Sequence, residues 1–245
     1  MKVDILAVGV HPDDVELSCS GTLIQEINRG KRVAILDLTE GELGTRGTVK
    51  TRYAEAANAA MIMGVHEREN LCMRDGFIAN DETHQLALIQ AIRKYRPTIV
   101  LANAMQDRHP DHGKAGQLVA DSCFLAGLEK IKTTNQDNTP QPRWRPSYVL
   151  HYIQDRFLEP TFIVDISPVF AQRMKAIKAY GTQFHNPASK NEEPETSISK
   201  KGFLDAIVAR AQLLGKRIGV DYAEGFTTSK SIGLRSVHDL ILNET

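Results

Sequence analysis

Two short motifs hold the residue types needed for metal-assisted chemistry: His11-Pro12-Asp13-Asp14 near the start and Arg108-His109-Pro110-Asp111-His112 further along. Two histidines and an aspartate drawn from the pair satisfy a His₂-carboxylate zinc site, which leaves coordination open for water. Zinc lowers the pKa of such a water to about 7, so hydroxide forms at neutral pH. A carboxylate beside the ion but not on it takes the water's proton. The adjacent Asp13 and Asp14 are suited to divide these tasks, one facing the metal and the other the water. Fe²⁺ and other divalent ions suit the same donors.

Either motif alone has a plainer reading, a proline–aspartate turn whose Asp caps the next helix. Two such motifs, each directly after an apolar run, weigh against it. His66, His84, His151 and His238 have no such companions and read as surface or internally satisfied structural residues.

The elements that must position the motifs follow from periodicity. The run over residues 3–10, broken only by Asp4, predicts a buried parallel strand ending at HPDD. A helix follows over 15–28, stopped by Gly30, then a strand over 32–38 and the Gly- and Thr-rich stretch 39–48. Further helices are predicted over 53–63 and 82–95, with Pro97 leading into a strand over 98–102. The second motif then opens onto a helix near 113–128. Beyond a polar surface excursion at 130–146 come strands over 147–153 and 161–166, a helix over 168–180, a mobile loop over 186–196 and a helix over 203–218. This alternation implies an α/β fold, Rossmann-like, with a mostly parallel sheet flanked by helices and one domain over 1–245. In open α/β sheets ligands bind beyond the carboxyl ends of strands, which is where both motifs fall.

Composition restricts partners. Lys+Arg and Asp+Glu are 30 each among 245 residues, so no net charge favours nucleic acid or an anionic membrane. No run approaches the ~18 apolar residues of a membrane span, and the N-terminus lacks the pattern of a secretory signal. Cys19, Cys72 and Cys123 are odd in number, far apart and form no CxxC, so neither a disulfide framework nor a cysteine zinc site is expected. A cytoplasmic enzyme with a small-molecule substrate is the expectation. No GxGxxG follows the first strand, which removes the fingerprint of a dinucleotide site.

HPDD at 11–14 and HPDH at 109–112 resemble the paired signature of the LmbE-like (PIG-L) zinc N-deacetylases, with Val10 in place of the usual small residue before the first. The resemblance extends over nearly the whole chain. It implies that His11, Asp14 and His112 bind zinc, that Asp13 is the general base and that His109 stabilises the tetrahedral oxyanion. TEGELGTRGT at 39–48, Arg52 and GVDYAEGF at 219–226 are similar to the subfamily of bacillithiol biosynthesis, whose substrate is N-acetylglucosaminyl malate. That likeness implies release of acetate and glucosaminyl malate, and a homo-oligomer, a hexamer.

For the substrate, Arg52 is expected to meet a dicarboxylate, since a planar, always-charged guanidinium suits malate; pairing near the start of its own helix is the alternative. Arg108 is a second anion-binding or loop-ordering candidate. Ser18 and Asp75 are candidates for sugar contact, against backbone bonding and a turn role. Tyr222 and Glu224 are expected to organise their segment, and Cys19 to pack near the site without ligating. Other deacetylase substrates, a thiol-conjugate amidase and a non-catalytic metal-dependent sugar-binding module are the rival functions; a base and an oxyanion donor speak against the last.

Overall fold

The computed structural model describes residues 2–184 and 194–242. Among them, strands β1 (Ile5–Gly9), β2 (Val33–Thr39), β3 (Glu67–Met73), β4 (Ile99–Ala102), β5 (Tyr148–Tyr152), β6 (Phe162–Asp165) and β7 (Ala223–Thr227) form one sheet in the order β3-β2-β1-β4-β5-β7-β6. The helices are α1 (Asp14–Asn28), α2 (Val49–Met63), α3 (Glu82–Tyr95), α4 (Pro110–Leu125), α5 (Phe170–Lys178) and α6 (Phe203–Ile218). The α/β class is as expected, and β1 to β5 pair in parallel. The far edge departs from that pattern, since β7 runs antiparallel to both β5 and β6.

Central β1 is buried along its whole length, which explains its unbroken apolar run. Successive residues point to opposite faces. Leu6 and Val8 join a core with Leu88 and Ile92 of α3 and Leu118 and Val119 of α4. Ile5 and Ala7 join another with Val15, Cys19 and Leu23 of α1. Helices therefore cover both faces, and polar chemistry is left to the strand ends.

Two strands lie outside the sequence expectations. β3 reads Glu-Arg-Glu-Asn-Leu-Cys-Met and is mostly half-exposed, because it is an edge strand whose polar residues face water or ion pairs. β7 is Ala-Glu-Gly-Phe-Thr, too short and too mixed to show alternation, yet buried between two neighbours. Helix starts also shift. Thr48 caps α2 in a reciprocal box with Thr51, so that helix begins before Tyr53. Pro110 occupies the first turn of α4, so HPDH is the helix start itself rather than a free loop before it. Of the loop expected at 186–196, residues 186–193 lie outside the described residues. No described helix is long and apolar enough to cross a membrane.

Candidate metal centre

β1 and β4 are parallel neighbours, with Ile5 opposite Ile99 and Ala7 opposite Leu101. The chain steps from β1 to β2 and β3 on one side, then returns to place β4 on the other. This is a topological switch point, where the loops leaving two strands diverge and open a crevice. HPDD leaves β1 and HPDH follows β4, so residues distant in sequence meet there.

His11, Asp14 and His112 offer ligand atoms within 4.8 Å of one another. Asp14 is central. Its Oδ2 lies 3.6 Å from His11 Nδ1, and its Oδ1 lies 3.3 Å from His112 Nε2. The other nitrogen of each imidazole is held by a carboxylate. His11 Nε2 meets Asp75 Oδ1 at 2.9 Å, and His112 Nδ1 meets Asp107 Oδ2 at 2.6 Å. Such outer carboxylates fix ring orientation and turn the remaining nitrogen to a metal. Here they would present Nδ1 of His11 and Nε2 of His112. Asp14 is itself steadied by Gln154 Nε2 at 2.7 Å and Asn103 Nδ2 at 3.1 Å. Two imidazoles, one carboxylate and open cleft space fit a divalent cation of the zinc type.

The electrostatics agree. Burial disfavours charge on His11, but hydrogen bonds and charge from Asp14 and Asp75 outweigh it and push the imidazole up to about 10. Burial likewise opposes charge on His112, yet Asp14 and Asp107 push it up to about 9. Asp14, though burial raises it, is held well below the usual carboxylate range by His112 and His11. These carboxylates make a negative seat, which a divalent cation would fill by displacing protons from the rings.

Asp13 is separated from this set by backbone geometry. It precedes α1 with φ 143° and makes no side-chain cap, so the capping alternative does not describe it. Such a φ strains a residue with a Cβ, and strain of this kind collects at functional sites. Its buried carboxylate lies 3.7 Å from Arg52 Nη1. Burial raises the Asp13 pKa, Arg52 opposes this, and Asp14 adds to it, leaving it at about 7. That value suits a group that both takes and returns a proton near neutrality.

His109 caps α4 by accepting from Asp111 N at 3.3 Å through Nδ1, so the proton of its neutral ring sits on Nε2. Burial, then His11 and His112, push its pKa down and favour that neutral donor. Its ring centroid lies 4.8 Å from that of His11 and 5.0 Å from that of His112. These residues line a cleft of about 470 Å³ together with Leu43, Arg52, Asp75, Arg108, Gln154 and Gln183.

The remaining expected residues divide. Arg52 reaches the cleft but is largely engaged, donating to Pro12 O at 3.3 Å and to Gln183 Oε1. Its guanidinium lies against Gly41 (φ 65°), where a Cβ would sit 2.9 Å from Nη1. Its partners thus come from the first motif and from Gln183, not from the start of α2. Arg108 stands at the exposed rim, paired with Asp155. Asp75 lines the cleft, but its oxygens serve His11 and Leu43 N, so its hydrogen bonds orient a candidate ligand rather than await a sugar. Ser18 is buried in α1, behind the residues that form the cleft wall. Cys19 packs in the core beneath α1. Asp107, Asn103 and Gln154 had no place in the sequence reading. Asp107 stands five positions before His112, but only the turn into α4 brings them into contact.

Comparison with known proteins gives this site a family. The sequence model of the PIG-L family, described as GlcNAc-PI de-N-acetylase, matches residues 6–123, a span that includes both motifs. A diacetylchitobiose deacetylase of Thermococcus kodakarensis is 29% identical over 231 residues, covering 90% of this chain and 81% of that protein. A probable N-acetyl-alpha-D-glucosaminyl L-malate deacetylase 2 of Bacillus anthracis is 23% identical over 74% of this chain and 81% of its own. The crystal structure of the conserved protein TT1542 from Thermus thermophilus is 36% identical and superposes with a TM-score of 0.83, covering 95% of this chain and 97% of that one. The chain belongs to the PIG-L (LmbE-like) family. It is a deacetylase, a hydrolase acting on amides.

Proposed function

We propose that this protein removes the N-acetyl group from a small molecule containing N-acetylglucosamine, releasing acetate and a free amine. The observation that carries this reading is one cleft holding the His11–Asp14–His112 cluster beside the strained Asp13 carboxylate. His11, Asp14 and His112 would hold a divalent cation, zinc by the character of the donors. When bound, such an ion supplies Lewis acidity that polarises an acetamide carbonyl and acidifies water.

The chain's own residues account for the proton movements. Asp13 takes a proton from the water that attacks the acetyl carbon, and Arg52 steadies the charged form of Asp13 from 3.7 Å. Negative charge then develops on the former carbonyl oxygen, and His109 Nε2–H is assigned as the donor that stabilises it. As the C–N bond breaks, the proton held on Asp13 passes to the leaving amine, which completes the balance for hydrolysis.

For the substrate, the reading carried forward is N-acetylglucosaminyl malate. It is supported by the Bacillus anthracis relative and by Arg52 and Arg108 as cations on the cleft wall. Diacetylchitobiose is the second reading, favoured by the Thermococcus relative, whose similarity extends over more of this chain. Acetate release from these two compounds and from N-acetylglucosamine, measured side by side on metal-loaded protein, separates them. Preference for the malate glycoside is the expected result. Preference for the disaccharide replaces malate as the substrate. Binding of sugars with no acetate released from any of them overturns the enzymatic reading.

A further inference from the structure

Helix α6 has more than the stripe that packs it inward. Ile207, Ala211 and Leu214 are among its buried residues. Phe203, Arg210 and Leu213 recur at helical spacing beside them, so they share a neighbouring face. Across from that face stands the segment after β5, at Asp155 and Phe157, and between the two lies a groove of about 320 Å³. Its size is at the small end of ligand sites, which run from roughly 300 to 1,000 Å³. Among the described residues it shares no lining side chain with the cleft of the metal centre.

The groove is apolar except for one cation. Arg210 Nη2 donates to Leu17 O at 2.6 Å, and among the described residues its side chain has no other hydrogen bond and no ion pair. The other deep arginines are better provided. Arg173 donates to the same carbonyl but pairs with Glu224 at 2.8 Å. Arg93 is satisfied by Ala126 O, Leu128 O, Ile131 O and Thr133 Oγ1. A guanidinium has five N–H donors, and withdrawing its charge from water is costly unless an anion meets it. Burial, with Arg173 adding repulsion, lowers the Arg210 pKa to about 10. The acid on the groove wall, Asp155, is already paired with Arg108.

We propose that this groove is a binding site for an organic anion with an apolar body, a medium-chain carboxylate. The carboxylate would lie on the free N–H groups of Arg210, whose planar fork matches two oxygens at once. The chain would lie along Phe157, Phe203 and Leu213, covering two side chains that are now 50% and 52% exposed, Phe157 and Leu213. An inorganic anion would leave those walls wet, and a neutral chain would leave Arg210 without its counter-ion. The proposal does not depend on which acetamide the metal centre hydrolyses.

The test is methyl NMR on metal-loaded protein labelled at isoleucine and leucine methyls, titrated with hexanoate, acetate and hexanol. Hexanoate is expected to shift the Ile207 and Leu213 methyls saturably. Acetate, which lacks the chain, and hexanol, which lacks the charge, are each expected to bind there at least about 10-fold more weakly. Leu17 and Leu43 line the cleft, so their methyls report separately any carboxylate that reaches the metal. Arg210→Gln should weaken hexanoate binding in the groove about 10- to 100-fold. Leu213→Asp, at an exposed position, leaves Arg210 in place and should weaken it as well, with metal content and circular dichroism unchanged. Hexanoate shifts absent from Ile207 and Leu213, or confined to the cleft methyls, overturn the proposal. So does hexanol binding as tightly as hexanoate, or undiminished hexanoate binding in folded Arg210→Gln. Should that variant fail to fold, the comparison of hexanoate with hexanol on the wild type and the Leu213→Asp titration decide.

Discussion

His11 and His112 face each other across Asp14, and each has a second carboxylate behind it, so removing a ligand and removing its outer partner should differ in degree. His11→Ala or His112→Ala leaves too few donors, and elemental analysis of the purified variants should find the metal lost. Asp107→Asn keeps both rings but weakens the hold on His112 Nδ1; metal affinity by competition with a chelator should fall about 10- to 100-fold. Asp13 sits beside the set without belonging to it. Asp13→Ala should therefore retain metal while kcat for acetate release drops about 10²- to 10⁴-fold. Near-normal turnover in that variant would remove Asp13 from the proton transfer.

At the scale of elements, α1 and α4 must approach the sheet closely enough to bring their first turns together. Gly116 makes this possible for α4. A Cβ there would sit 2.8 Å from Asn103 O and 3.1 Å from Ala104 O, backbone atoms that cannot swing aside. Gly116→Ala should lower stability by about 1–3 kcal/mol in a urea melt through overpacking. It should also loosen metal binding, because Asn103 contacts Asp14. α1 is clamped at its middle instead. The buried Glu224 carboxylate accepts from Gly21 N, Thr22 N and Thr22 Oγ1 and pairs with Arg173, which also donates to Leu17 O. Glu224→Ala leaves Arg173 buried and unpaired, and a loss of about 3–5 kcal/mol in the same melt is expected. Sequence assigned Glu224 an organising role in its own segment; packing extends that role to a helix two hundred positions earlier. A bidentate Arg68–Asp37 pair, with Glu16 and Tyr180, similarly ties β3, β2 and α1 beneath the site. None of these charges announces its partner in a linear reading.

For the molecule as a whole, the buried His151 links stability to pH. Burial pushes its imidazole below the ordinary value of 6.5, only partly offset by its hydrogen bond to Asn103 O. The unfolded chain therefore binds this proton before the folded one does. The contribution of neutral His151 is fully present above pH 6.5 and is lost as pH falls from there toward the folded value. In chelator-treated protein, His151→Asn should flatten the decline of unfolding free energy on that acid side, by at most about 1.4 kcal/mol per pH unit. An unchanged slope would show that His151 does not titrate differently on folding. The unbroken apolar run of β1, the alternation of helix and strand, and the residue types in HPDD and HPDH were all legible in sequence, because periodicity, burial and donor chemistry are local properties. The charged edge strand β3 and the antiparallel β7 were not, since what makes them strands is the neighbour each pairs with. Likewise, sequence by itself pointed to His11, Asp14 and His112 as a group that could bind a metal. Only the tertiary structure decided that β1 and β4 lie side by side, that Asp75 and Asp107 stand behind the histidines, and that Arg52 faces Asp13. Those are contacts between residues far apart in the chain, set by sheet order and helix packing rather than by any local pattern.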